Sequence, residues 1–342
     1  MSNPTDRDNQ PRLVLAHGGG GRLTRDLVRD CFLPHLNDPE LARLTDSALL
    51  DLPSARLAFT TDSFVVKPLF FRGGDIGKLA VCGTVNDLLA AGAQPLFLSL
   101  AVIAEEGLPL DVLTKVARSV ADAARQARVR VVCADTKVVE KGSADQLFLT
   151  TSGIGILPDS PPPGPHRIVA GDAVIVSGTL GDHAIAVMSA REGLGFETIV
   201  TSDAAPLTEL VAAALAAGQV HVMRDPTRGG LATVLNELAR DARLGIELDE
   251  TALPVHPAVR TACDMLGLDP LQAANEGKMV IVCSPDSASR ILDALRRAPY
   301  GSDAALVGRV DSTCPGSVRL RTRIGGTRIV DEPVGELLPR IC

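Results

Sequence analysis

The sequence has no apolar run long and clean enough to cross a bilayer, no tract of clustered lysine and arginine, and no Cys-x-x-Cys pair. The first absence excludes a helical membrane span and leaves a soluble globular chain as the expectation. The second, with a net charge of −7, speaks against a nucleic-acid surface, which needs positive charge gathered on one face. The third bears on seven cysteines, at 31, 82, 133, 263, 283, 314 and 342. An odd, scattered set suggests neither a disulfide framework nor a zinc site, and most of them read as small buried hydrophobes. Met1 to Gln10 is polar and lacks the apolar core of a signal peptide, so the cytoplasm is the expected compartment.

Familiar nucleotide loops are missing as well. Gly18-Gly19-Gly20-Gly21 lacks the Gly-Lys-Ser/Thr ending of a P-loop, and Leu23 stands where a dinucleotide fingerprint needs glycine; Gly77-Lys78-Leu79 also fails the P-loop pattern. If ATP binds, backbone N–H groups of glycine loops and a helix N-terminus must supply its phosphate contacts. The four glycines read equally well as a surface loop.

What is present fits two α/β domains. A chain of 342 residues with 46% hydrophobic content can build two cores. The stretch Pro158-Asp159-Ser160-Pro161-Pro162-Pro163-Gly164-Pro165 can continue neither a helix nor a central strand, which puts the boundary near 160. Before it, the pattern predicts a strand over Arg56 to Val66 and a helix from Ile76, capped by Asp75, to Ala91. Leu96 to Ala104 reads as a strand, Leu110 to Ala127 as a helix, and Val129 to Ala134 and Leu147 to Ile156 as strands. After it come strands at Ala173 to Ser177 and Lys278 to Cys283, with short ones to Val330. Helices are expected near Ala184 to Arg191, Leu207 to Ala217, Leu231 to Ala242 and Ser287 to Arg297. The expected domains are 1–160, binding ATP, and 161–330, with 331–342 as a flexible tail.

Three acids stand out. Asp62 follows an apolar strand, Asp87 sits among core-facing neighbours near a helix end, and Asp135 follows Val131-Val132-Cys133-Ala134. Each would be costly if buried unpaired, and carboxylates from separate elements suit Mg²⁺. Each could equally cap a turn and meet a lysine. Cys342 is the last residue of the sequence, and a thiol there could travel between a partner's site and a pocket on its own protein. Taken alone, it is equally just where the sequence stops.

A resemblance covers nearly the whole chain. It runs through Ala16-His17-Gly18, Thr61-Asp62-Ser63, Ile76-Gly77-Lys78-Leu79-Ala80, Asn86-Asp87, Asp135-Thr136-Lys137-Val138-Val139, Ser177-Gly178-Thr179-Leu180-Gly181-Asp182-His183, Asp225-Pro226-Thr227-Arg228-Gly229-Gly230, Asn275-Glu276-Gly277-Lys278 and Pro339-Arg340-Ile341-Cys342. In these motifs the chain resembles the HypE family, the carbamoyl dehydratases that mature nickel–iron hydrogenases. That family lies within the ATP-binding superfamily of aminoimidazole ribonucleotide synthetase and selenophosphate synthetase. Pro226 departs from the family's usual alanine, and the glycine loop lacks the serine or alanine that often interrupts it.

The resemblance implies a two-domain α/β (α+β) fold whose N-terminal sheets pair in a homodimer. It implies that a carbamoyltransferase, HypF, loads a carbamoyl group onto Cys342, and that ATP then drives its dehydration to a thiocyanate. The cyanide would pass to an iron centre on the HypC–HypD complex. Asp62, Asp87 and Asp135 would hold Mg²⁺ against the triphosphate. Lys137 and Glu276 would position and deprotonate the carboxamide nitrogen, unless they simply pair with each other. Gly18, Gly19, Lys78, Asn86, Thr136, Asp225 and Arg228 would contact the nucleotide, with His17 and His183 as further contact candidates. Two other readings stay open: a small-molecule ATP-dependent synthetase of the same superfamily, and a thiol carrier without catalysis.

Overall fold

The computed structural model describes residues 11–18, 22–43, 56–191, 200–333, 338 and 340–342. Two short helices, α1 (Arg22–Leu27) and α2 (Leu33–Leu36), precede β1 (Leu57–Phe64), β2 (Phe70–Phe71), β3 (Gly74–Asp75), α3 (Ile76–Ala90), β4 (Gln94–Glu105), α4 (Leu110–Ala127), β5 (Arg130–Val139) and β6 (Leu147–Ile156). The longer strands form a four-stranded sheet in the order β1-β6-β4-β5. Only β4 and β5 run parallel, with α4 as the crossover between them.

The later part contains β7 (Ala173–Val176), α5 (Asp182–Ser189), α6 (Thr208–Ala217), β8 (Val220–Arg224), α7 (Gly230–Ala242), β9 (Gly245–Asp249) and α8 (Pro257–Leu266). It closes with β10 (Val280–Cys283), α9 (Pro285–Arg297), β11 (Ala305–Asp311), β12 (Val318–Arg321) and β13 (Thr327–Ile329). Its seven strands form a second sheet in the order β13-β12-β9-β11-β7-β10-β8. No described helix is long and apolar enough to cross a membrane.

Helix α3 positions the site. Its start is fixed by Asp75, whose Oδ1 accepts the N–H groups of Gly77 at 2.7 Å and Lys78 at 3.1 Å. The apolar spacing predicts one core-facing stripe, yet every α3 residue except Lys78, Asp87 and Ala90 is buried. The reason is that β1 and β6 of the sheet and helix α4 all pack against the helix, and α6 and β8 of the later part add to the cover. Asn86 joins the two parts: its amide donates to the carbonyls of Ala205 at 3.0 Å and Glu276 at 3.3 Å, and its oxygen accepts from the N–H of Leu207 at 3.0 Å.

The opposite face of the first sheet is open. Along β1 the even-numbered residues face α3 and the odd ones face outward, where Leu57 and Phe59 are exposed, Phe59 by 70%. Ile103 of β4 is exposed on the same outer face.

Candidate active site

A glycine lets β1 approach α3. A Cβ on Gly83 would lie 2.9 Å from the ring of Phe64, so a larger residue there would push that ring aside, and Asp62 Oδ2 lies in ordinary contact at 3.7 Å from the same point. Asp87 is one helical turn beyond Gly83 and therefore meets the same strand. The hydroxyl of Thr60 donates to Asp87 Oδ2 at 2.8 Å. Asp62 and Asp87 face each other closely enough for each to act on the other, and both carboxyls are raised. Burial and the charges of Asp225 and Asp62 push Asp87 up to about 7. Burial also raises Asp62, against the pull of Arg228.

The later part brings more charge to this pair. Asp225 follows β8, and burial raises its carboxyl too. Glu276 is buried, its Oε1 has no hydrogen-bond partner, and its pKa is held well above the ordinary carboxylate range by burial and by Asp203, Asp225 and Asp62. The loop carrying it is pinned by Asp203, which accepts the N–H groups of Glu276 at 3.1 Å and Gly277 at 3.3 Å. A Cβ on Gly277 would lie 1.9 Å from the carbonyl oxygen of Asp203, so this approach requires glycine. Burial raises the carboxyl of Asp203 as well, but Lys278 at 3.2 Å, His183 and the N–H of Glu276 together outweigh it and keep the carboxyl below its usual range.

Cys342 lies beside this cluster. It lines a cavity of about 440 Å³ with Ser63 and Val65, Arg228 and Gly229, and Ala274. Arg228 also borders a second cavity of about 430 Å³, which Asp87 and Asp225 line. The last residues run beside the continuation of β1: the N–H of Val65 donates to the carbonyl of Cys342 and that of Lys67 to Arg340, each at 3.2 Å. Arg340 donates from Nε to the carbonyl of Val65 at 3.0 Å and pairs with Asp145, which Lys67 also contacts at 2.8 Å. The described residues at this end thus lie docked against the chain, where a flexible tail with little packing is expected from the sequence. Ile341 is 3% exposed, and burying such a side chain is worth roughly 1.5–3 kcal/mol.

The remaining sequence-derived candidates lie elsewhere in the chain. Asp135 and Lys137 stand within β5, not beside a turn, and both are exposed on the outer face. Charged residues can alternate there with buried Thr136 because one side of the sheet is open. Strands β6 and β4 separate them from β1, so within one chain Asp135 does not join Asp62 and Asp87. Cross-strand pairing places Asp135, Ala101, Thr150 and Ser63 in one row. Lys137, Ile103 and Phe148 form the next, and the Arg340 guanidinium lies 5.8 Å from the Phe148 ring centre.

Lys137 and Glu276 lie on separate elements and do not pair with each other. Gly18 ends a short 3₁₀ turn packed against β5, in which His17 Nδ1 accepts the N–H of Val14, and Gly19 lies outside the described residues. Lys78 is at the opposite end of α3 from Asp87 and donates to the carbonyl of Gly73 at 3.0 Å. Asn86 directs both amide hydrogens and its oxygen to backbone groups, so it acts here as a joint between the two parts of the chain. Among the described residues, no three His, Cys, Asp or Glu side chains are arranged to hold a metal ion.

Sequence reasoning missed Asp203, Ser202 and Arg191. The first two lie in Val200 to Pro206, which has neither helical nor strand period, so no pattern marks them. Arg191 donates to the carbonyls of Lys67 at 3.0 Å and Arg340 at 2.9 Å, a role visible only once the chain is folded.

Comparison with known proteins agrees with this architecture. Residues 44–157 match the model for the AIR synthase related protein N-terminal domain, and residues 169–321 match that for the C-terminal domain. The chain is 48% identical to "Carbamoyl dehydratase HypE" of Bradyrhizobium diazoefficiens over 330 residues, 96% of this chain and 95% of that one. It superposes with a TM-score of 0.93 on a crystal structure of hydrogenase maturation protein HypE in complex with ATP, at 46% identity over 96% of this chain and all of the other. A crystal structure of a HypE–HypF complex matches with a TM-score of 0.79, at 46% identity over 92% of this chain and all of that one. With both domains matched and nearly half the residues shared along almost the full length, the chain belongs to the HypE family of hydrogenase maturation proteins.

Proposed function

We propose that this protein removes the elements of water from a carbamoyl group carried on the sulfur of Cys342, leaving a thiocyanate, with ATP converted to ADP and phosphate. The carboxamide oxygen leaves within the phosphate, and the nitrogen gives up both of its protons. The observation that carries this reading is the placement of Cys342 in a cavity walled by Arg228, whose other side borders the cavity of Asp87 and Asp225. A relative that bears the dehydratase name, one solved with ATP and one solved with HypF support it.

Glu276 is the favoured proton acceptor. Its carboxyl, raised by burial among other acids, is a strong base once ionised and suits removal of a proton from nitrogen. Lys137 is the second candidate and would approach from the outer face. Magnesium fits the residues present: Asp62 and Asp87 crowd negative charge that a divalent cation relieves, and Mg²⁺ commonly needs only one or two carboxylates beside phosphate oxygens. Bound there, the ion would neutralise charge on the triphosphate.

HypF is the proposed carbamoyl donor and the HypC–HypD complex the cyanide acceptor. A homodimer through the outer faces of the first sheets would cover Phe59 and Ile103. It would also set a partner's surface over the rows that run from Asp135 and Lys137 toward Cys342.

The test is mass measurement of the C-terminal peptide after incubation with the carbamoyltransferase, carbamoyl phosphate and Mg-ATP. A cyano adduct that requires ATP is expected. No adduct under any condition would sink the proposal, an adduct formed without ATP would favour a carrier, and normal cyanide formation by Cys342→Ala would favour a small-molecule synthetase.

A further inference from the structure

We propose that His183 is the positioning residue for the tail: its ring N–H holds the carbonyl of Ile341 and thereby sets how far Cys342 enters the cavity beside Arg228. His183 lies in the first turn of α5 and is completely buried. Both ring nitrogens are engaged, Nδ1 with Ser202 Oγ and Nε2 with the Ile341 carbonyl, each at 2.8 Å. A carbonyl only accepts, so Nε2 carries the proton. The Ser202 oxygen already accepts the N–H of Ala204 at 3.1 Å, which leaves its own hydrogen for Nδ1. Burial lowers the ring's pKa and favours its neutral form, in which Nε2 carries the proton and Nδ1 accepts from Ser202. Phe71 packs edge-on at 5.4 Å between ring centres and blocks the imidazole from swinging away.

The tail is gripped from two sides. The carbonyls of Arg340 and Cys342 point to the continuation of β1, and that of Ile341, between them, points the other way to His183. The left-handed backbone of Arg340, with φ 55°, turns the chain there, so successive carbonyls point to opposite partners without the tail forming a strand. The backbone pairing with Val65 and Lys67 can slip in register, whereas a single buried ring donor aimed at one carbonyl cannot. His183 therefore fixes which residue faces the cavity.

The inference rests on the reading of Cys342 as the substrate-bearing residue, but its test does not depend on that chemistry. In the full-length protein, alkylation of Cys342 by iodoacetamide is followed by peptide mass, with exposed Cys314 as the internal reference. His183→Phe keeps an aromatic ring and deletes the donor. It is expected to speed Cys342 alkylation by roughly tenfold to a hundredfold, as leaving one buried acceptor without a partner would require, with Cys314 unchanged. His183→Gln, whose amide can reach the same carbonyl, is expected to stay within about threefold of the parent, the scatter usual for single contacts. Ser202→Ala frees the tautomer and is expected to loosen the tail by an intermediate factor, which keeps the test decisive if the Phe variant fails to fold. Equal Cys342 rates in the parent and Ser202→Ala, or a Gln variant as loose as Phe with Cys314 unchanged, would overturn the proposal. With HypF and carbamoyl phosphate, the Phe variant should be carbamoylated at least as fast as the parent and dehydrated more slowly. A parent protein that yields no cyano adduct while Cys342 remains His183-protected would defeat the dehydratase reading and leave the positioning role standing.

Discussion

The carboxyls of Asp62 and Asp87 face each other across the contact that Gly83 opens between β1 and α3. Two acids that close cannot both ionise without cost, and Asp87 is raised to about 7. Because its folded pKa lies above the ordinary aspartate value of 3.8, the stability it contributes is present below about pH 4. That contribution is lost as pH rises to about 7 and does not return above it. Asp87→Asn should therefore stabilise the ligand-free protein by about 1–3 kcal/mol at pH 8 and progressively less toward acid. Urea unfolding at pH 8 and at pH 5 measures the difference; an equal effect at both would contradict the assignment.

Magnesium with ATP should act on the same pair. Binding will lower Asp87 and release its proton, so the midpoint of thermal unfolding should rise more with Mg-ATP at pH 8 than at pH 6. In Asp62→Asn, which removes one of the two carboxylates, most of the magnesium-dependent part should disappear. A full magnesium effect in that variant would move the ion elsewhere.

Glu276→Gln separates the two candidate bases. Burial and the neighbouring acids already penalise a charge on this carboxyl, so the neutral amide should leave stability within about 1 kcal/mol while dehydration falls by roughly 10²-fold or more. Lys137→Ala, at an exposed position, should also fold normally. The readout is the ratio of carbamoyl to cyano peptide: whichever variant accumulates carbamoyl peptide without converting it has lost the base.

The Arg340–Asp145–Lys67 cluster should make a small, salt-sensitive contribution to tail docking. Its members are partly exposed, so Asp145→Ala should weaken docking by about 0.5–1 kcal/mol in low salt and by less at 1 M NaCl. The rate of Cys342 alkylation in the two salts reports it, and a salt-independent effect would point to lost packing instead.

Phe59→Asp should keep the first sheet folded and abolish self-association. The side chain is 70% exposed and points away from α3, so a charge there costs the monomer little. Sedimentation of parent and variant at equal concentration decides the matter, and an unchanged species would remove this face from any interface.

The alternating helices and strands were legible because most are long and periodic. Asp75 announced the start of α3, and Leu147 to Ile156 shows its strand in sequence as it does in space. The short elements were not: Val220–Arg224 contains a histidine and an arginine, Gly245–Asp249 ends in charge, and Pro257–Leu266 opens on a proline that reads as a break. Strand β5 runs through Asp135 and Lys137, which looked like its end, because the open face of a sheet accepts charge. At the site, Asp62 and Asp87 stood out as acids set against apolar neighbours. Glu276 had no such signal, since the carboxylates that raise its pKa come from segments far away in sequence.

The tail is held through its main chain, by Val65, Lys67 and His183 on three successive carbonyls, and none of these contacts involves the sulfur of Cys342. The main-chain part of the berth is therefore the same whatever the sulfur carries. Bare thiol, carbamoyl and cyano forms offer it the same three carbonyls, and only the cavity around Cys342 can tell them apart. These hydrogen bonds do not change when the chemistry is complete, so the signal that turns the tail outward must come from that cavity, from the nucleotide or from a protein that competes for the segment.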